Sequence, residues 1–195
     1  MRDLRILCLH GYHGNAAVLR RQMSPLTARL DPSIEFVYVD APSLAANDFG
    51  WWHSPARGWA RTRAWAGELF ASQPRFDGVF GFSQGAALTG LLAAMRQNRI
   101  DGVRFDFAVM VGGFINDSPD LAELYRGPFT VPSAHVIGRA DGVIRPGLSL
   151  DLAARFEDPL ILEHAGGHVI PGDAGVVEGI AGFLAQAARE PVVPL

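Results

Sequence analysis

The residues best placed to do chemistry are Gly81-Phe82-Ser83-Gln84-Gly85. An apolar run, Gly78 to Phe82, leads into the serine, and an apolar helical stretch, Ala86 to Met95, leads away from it. A Gly-x-Ser-x-Gly on a strand-to-helix corner presents its hydroxyl on a strained turn, a nucleophile elbow. The glycines are needed because side chains at 81 and 85 would clash where strand and helix nearly touch. A serine hydroxyl attacks poorly at neutral pH without a base to take its proton. The base is nearly always a histidine oriented by a carboxylate. Asp141, in Gly138-Arg139-Ala140-Asp141, and His168, in Gly166-Gly167-His168-Val169, each follow an apolar strand-like run. The chain order Ser83, Asp141, His168 is the one this kind of elbow uses.

The other histidines fit less well. His10, His13 and His53 precede the nucleophile and break that order. His135 sits inside a strand and reads as packing. His164 is the second choice for the base. Its spacing of four from His168 crosses a strand end and a Gly-Gly turn, so the two share no helical face for a metal. Asp117 is the alternative acid, and Asp158 reads as a solvated turn residue. No cluster has convincing metal-ligand spacing, so no metal and no cofactor is expected.

Acyl transfer also needs donors for a developing oxyanion. The backbone N–H of Gln84 is one candidate. The second comes from the glycine-rich loop Leu9-His10-Gly11-Tyr12-His13-Gly14-Asn15, where we assign Tyr12 N–H. The phosphate-loop pattern Gly-x-x-x-x-Gly-Lys-Ser/Thr is absent.

These residues require a frame. Apolar runs read as strands at Leu4–Leu9, Ile34–Val39, Gly78–Phe82, Phe105–Val111, Ala134–Gly138 and Leu160–Glu163. Helical patterns alternate with them at Ala16–Leu30, Arg57–Ser72, Gln84–Asn98, Leu148–Phe156 and Ala174–Ala188, with Asp173 as N-cap of the last. Such alternation implies an α/β fold: a short, mostly parallel sheet of about six strands with helices on both faces. Functional residues then gather at the carboxyl ends of the strands. The stretches 41–55 and 112–132 follow strands and lie outside the alternation. Phe49, Trp51, Trp52 and Phe114 there could line an acyl pocket; packing of the tryptophans into the core is the competing reading.

The 195 residues fit one domain, 1–195, with 49% hydrophobic and 19% charged residues and a net charge of −3. Both signs are scattered, so neither a nucleic-acid footprint nor a polybasic membrane anchor is expected. The single cysteine, Cys8, lies inside an apolar run and reads as a buried structural thiol. No apolar stretch reaches the roughly 18 residues needed to cross a bilayer, and no leader is visible, so a cytoplasmic location is expected.

Together these pieces resemble the small α/β-hydrolases of the FSH class, a family of serine hydrolases that includes fungal serine hydrolases and polyketide-releasing thioesterases. The matching segments are Leu9-His10-Gly11-Tyr12 with Asn15, Asp40-Ala41-Pro42, Gly81 to Ala86, Gly138-x-x-Asp141 and Gly166-Gly167-His168-Val169-x-Pro171. Gly-Phe-Ser-Gln-Gly is shared with acyl-protein thioesterases; the Asp-Ala-Pro and Gly-Gly-His-x-x-Pro pieces favour the FSH group. The resemblance implies a Ser83-Asp141-His168 triad and cofactor-free hydrolysis of small-molecule carboxylic esters or thioesters. It also implies a truncated sheet beginning at the strand that carries the oxyanion loop; because the chain is somewhat shorter than many members, a minimal lid is expected. An acyl-protein thioesterase or lysophospholipase type is the alternative enzyme. A catalytically silent binding module is the alternative from another class.

Overall fold

The computed structural model describes residues 3–42 and 50–189. Phe49 lies outside the described residues. Six strands form one all-parallel sheet: β1 (Arg5–Leu9), β2 (Glu35–Val39), β3 (Gly78–Phe82), β4 (Phe107–Val111), β5 (Ser133–Gly138) and β6 (Leu160–His164). Their spatial order is β2-β1-β3-β4-β5-β6. The order reverses at β1, so the loops after β1 and β3 diverge and open a crevice at their carboxyl ends.

The helices are α1 (Ala16–Thr27), α2 (Trp59–Ser72), α3 (Gln84–Gln97), α4 (Pro119–Ala122), α5 (Pro146–Ala153) and α6 (Ala174–Ala187). Alternation along β1 explains the two layers. Leu7 and Leu9 join the core shared with α2, α3 and α5, whereas Ile6 and Cys8 face the side held by α1 and α6. The middle strands β3 and β4 are buried at every position, as a sheet covered on both faces requires. Helix α3 runs through the centre, with every residue from Gln84 to Met95 buried. Cys8 is fully enclosed, and burial pushes its thiol pKa well up, which makes it unreactive.

The sequence-based elements agree with these to within a few residues, and the offsets have local causes. Helix α5 starts at Pro146 rather than Leu148, because proline's fixed φ suits the first helical position. Helix α2 starts at Trp59 rather than Arg57, because Gly58 stands at φ 93° and helical geometry begins only after it. Asp173 caps α6 as expected, accepting from Val176 N–H at 3.2 Å. The stretch 112–132 contains α4 and a 3-10 turn, Glu123–Tyr125, that the apolar periodicity does not announce.

Candidate active site

Ser83 stands between β3 and α3 at φ 55°, ψ −118°, a backbone conformation that costs a non-glycine residue about 1–3 kcal/mol. The surroundings enforce it. Ser83 N–H donates to Val111 O at 2.9 Å, and Ser83 O accepts from the N–H groups of Ala86 and Ala87. A β-carbon at Gly81 would stand 2.3 Å from Gly85 O, and one at Gly85 would stand 2.1 Å from Leu9 O. Both glycines therefore mark backbone contact, as the elbow pattern predicts.

The loop after β1 passes directly beside the serine: a β-carbon on Gly11 would lie 3.2 Å from Ser83 Cβ. Buried His10 holds this loop. Its Nε2 accepts from Ala41 N–H at 3.1 Å, so Nδ1 carries the proton and donates to Gly11 O at 2.8 Å. Burial lowers the His10 pKa, which keeps the ring in this neutral form. Trp51 Nε1–H donates to His10 O at 2.7 Å, and Asp40 Oδ1 accepts from Ala16 N–H at 2.7 Å. Asn15 caps α1 through Val18 N–H at 2.9 Å. Among the described residues, neither Tyr12 N–H nor Gln84 N–H donates to a backbone carbonyl. Gln84 is the first residue of α3, at the positive end of the helix.

Asp141 and His168 meet where the loops after β5 and β6 converge. His168 Nδ1–H donates to Asp141 Oδ2 at 2.6 Å. Asp141 Oδ1 accepts from Val143 N–H at 2.9 Å and Ile144 N–H at 2.8 Å. Burial alone would raise the Asp141 pKa; the hydrogen bonds from His168, Ile144 and Val143 outweigh it and hold the carboxyl below the usual range. The His168 ring lies 4.9 Å from the ring of Phe82, the residue before Ser83. A β-carbon on Gly112 would stand 3.0 Å from His168 Cε1, so the turn after β4 forms the floor under the imidazole. Among the described residues Ser83 Oγ makes no hydrogen bond; it is half-buried in the cleft.

Other candidates take no part in this pairing. His135 is buried against Phe156, and burial pushes its pKa down to about 3. Asp117 is exposed and lines the cleft without touching His168. Asp158 is exposed in a turn at φ 46°.

A cleft of about 560 Å³ opens over Ser83, lined by Tyr12, Trp52, Gln84, Phe114, Ile144 and Leu148 among others. Trp52 and Phe114 thus border it, Trp52 with only 3% of its surface exposed and the rest packed in the same core cluster as Trp51. Trp51 does not: it is fully buried, 5.1 Å from Trp65 and 4.8 Å from His10 between ring centroids. Its indole N–H is satisfied internally, so the core-packing reading holds for Trp51. Tyr125 and Phe129 are likewise core residues. The Gln84 side chain ties the tryptophan segment to the elbow. Its Oε1 accepts from Trp51 N–H at 2.9 Å and its Nε2 donates to Trp52 O at 2.8 Å. Thr62 Oγ1 also bonds Trp51 O. The sequence reading misses His10 and the Gln84 side chain, because Ala41, Trp51 and Trp52, which they hold, are more than thirty positions away. The only hint is that a polar residue in an apolar run must find a partner when buried.

The family profile described as serine hydrolase (FSH1) matches residues 1–180. An esterase, OVCA2, from Xenopus tropicalis is 36% identical over 89% of this chain and 88% of its own length. Esterase CG5412 from Drosophila melanogaster is 29% identical over 96% of this chain and 75% of its own. Among solved structures, Zea mays acyl-protein thioesterase 2 superposes with a TM-score of 0.71 at 21% identity, covering 96% of this chain and 95% of that one. That likeness speaks for the α/β-hydrolase fold.

Proposed function

This chain belongs to the serine hydrolase (FSH1) family and is an esterase, and on that premise we propose that it cleaves small to medium acyl esters or thioesters through Ser83, His168 and Asp141. The observation that carries the reading is the His168–Asp141 bond at 2.6 Å, with the second carboxylate oxygen already committed to two backbone N–H groups. An Nδ1–H held this way leaves Nε2 unprotonated and able to accept the Ser83 proton.

Ser83 Oγ attacks the carbonyl carbon as His168 Nε2 takes its proton. The oxyanion that forms is received by Gln84 N–H and Tyr12 N–H. His168 then protonates the leaving alcohol or thiol as the carbon–oxygen or carbon–sulfur bond breaks, giving an acyl-enzyme. Water, deprotonated by His168, attacks next and releases the acid and the free serine. No metal or cofactor takes part in this scheme.

The apolar lining supplied by Trp52, Phe114, Ile144 and Leu148 supports a hydrophobic acyl group, and the modest cleft supports short to medium chains. No helix among the described residues is long and apolar enough to cross a membrane. The proposal takes the chain as a single domain working in the cytoplasm on a small-molecule substrate.

A fluorophosphonate tests the nucleophile. Peptide mass mapping should find it on Ser83 alone, and label on another residue in active protein would refute the assignment. An acyl-length series of matched esters and thioesters then reads the substrate class.

A further inference from the structure

His164, the last residue of β6, is 7% exposed and takes no part in the proton transfers proposed above. Its ring is wedged between two glycines. A β-carbon on Gly138, at the end of β5, would stand 3.1 Å from His164 Cε1, and one on Gly166 would stand 2.9 Å from His164 Nδ1. The ring therefore fills the space between the segment leading to Asp141 and the segment leading to His168. It also bonds one of them: Gly166 N–H donates to His164 Nδ1 at 3.2 Å. That leaves the proton on Nε2, which is buried and has no partner among the described residues. A buried donor without a partner is destabilising, because it gives up its water and gains nothing in exchange. An apolar side chain of similar size would avoid that cost, but it could not accept the Gly166 N–H.

The backbone around the ring joins the same two segments. Arg139 N–H donates to His164 O at 2.8 Å and Ala140 N–H donates to Gly166 O at 3.1 Å. Asp141 follows directly on one side, and His168 follows two residues after Gly166 on the other. We propose that His164 is a positioning residue: through Nδ1 it fixes the Gly166 turn and so sets the approach of His168 to Asp141. The inference rests on the assignment of His168 as the base. Burial lowers the His164 pKa and keeps Nδ1 an acceptor; the charged groups facing the ring are Asp173 and Asp141 of one sign and Arg139 of the other.

Three variants of the full chain test this: His164→Leu, His164→Asn and His164→Gln. The Asn Oδ1 falls near the place of Nδ1 and can accept the Gly166 N–H. The Gln amide reaches the place of Nε2 and cannot. Displacing a reacting group by about 1 Å can cost ~10²-fold, so kcat for a short-chain ester should fall roughly 10- to 100-fold in the Leu and Gln variants, with KM within about twofold. The Asn variant should recover most of the loss. In the Leu and Gln variants the acid limb of kcat/KM should also move to lower pH, because an imidazolium farther from its carboxylate is less stabilised. A residue that merely fills space would lower the active fraction without moving that limb. Should the Leu protein fail to fold, the Asn and Gln pair decides. Equal kcat in Asn and Gln, or an unmoved acid limb, overturns the inference. Fluorophosphonate labelling of the parent separates the two levels. If Ser83 is labelled and the His164 variants keep full kcat, only the positioning role fails. If Ser83 is not labelled, the catalytic assignment fails beneath it.

Discussion

Replacing Asp141 by Asn is the sharpest perturbation of the proposed mechanism, because the hydrogen-bond pattern dictates how the amide must sit. Val143 N–H and Ile144 N–H both donate to Oδ1 at 2.9 and 2.8 Å, so the side chain must keep an acceptor there. In Asn the carbonyl oxygen fills that place and the NH₂ group is driven toward His168 Nδ1. An NH₂ can only donate, so Nδ1 must become the acceptor and the ring proton moves to Nε2. The base then faces Ser83 with a proton already on it. Fold and KM should change little, since both backbone donors stay satisfied. The corresponding tautomer error in another triad costs up to ~10⁴ in kcat, equivalent to about 5.4 kcal/mol of barrier. Steady-state kinetics on a short-chain ester and the second-order rate of fluorophosphonate labelling should fall together, while the unfolding free energy from urea titration holds within about 1 kcal/mol. Asp117→Asn, changing an exposed carboxylate that does not touch His168, should stay within a few-fold of the parent. The reasoning is refuted if Asp141→Asn keeps kcat within tenfold, or if Asp117→Asn is the crippling change.

The two neighbouring tryptophans should separate cleanly. Trp52→Ala should flatten the acyl-length dependence of kcat/KM, in which each added methylene is worth up to about 0.8 kcal/mol or nearly fourfold. Both tryptophans are buried, so both substitutions should cost about 3–5 kcal/mol of stability, but Trp51→Ala should leave that profile intact; a profile altered by Trp51→Ala alone would reverse the roles. His135 should impose an acid instability, because its folded pKa near 3 lies far below the ordinary histidine value. The stability it contributes is present above about pH 6.5 and is lost as pH falls toward 3. Between pH 7 and 5 the loss is roughly 2 kcal/mol, which His135→Gln should remove from the urea-derived slope; equal slopes in the two proteins would contradict the burial argument. His10 and His164, also lowered, add to the slope with the same sign. No group of three His, Cys, Asp or Glu able to hold a metal occurs among the described residues. EDTA should therefore leave ester hydrolysis unchanged, and a loss restored by zinc would overturn the serine mechanism.

The sheet is legible in the sequence because a strand covered on both faces must be apolar throughout, as Gly78–Phe82 and Phe107–Val111 are. The elbow is legible because its pattern answers a local need: Gly81 touches Gly85 O only four residues on and admits no side chain. What resists reading is whatever depends on a distant partner. Trp51 and Trp52 are the same residue type in adjacent positions and both pack into the core, yet only Trp52 also borders the cleft. Only the pairing of Trp51 with Gln84, His10 and Trp65 decides between them. His10 looks like an out-of-order base in the sequence; in the fold it is a strut, because Ala41 N–H and Gly11 O occupy both ring nitrogens. The turn Pro119–Tyr125 escapes notice because four helical residues and three more of 3-10 type are too short to build a periodic face.

The order β2-β1-β3-β4-β5-β6 also bears on how this chain is made. An all-parallel sheet contains no hairpin, so every strand pair waits for a crossover. Even the nearest partners, Ala108 opposite Ser133, belong to strands separated by a long excursion. Strand β1 waits longest, since its second neighbour sets Ile6 against Gly78. On the ribosome, β1 and β2 can pair early, but one flank of the apolar strand Arg-Ile-Leu-Cys-Leu stays open until β3 has emerged. An open apolar edge is a template for pairing with another nascent chain. The crevice that holds the nucleophile thus closes over the strand most prone to aggregate during synthesis, and slowing translation between residues 40 and 78 should lower the soluble yield more than slowing it after residue 111.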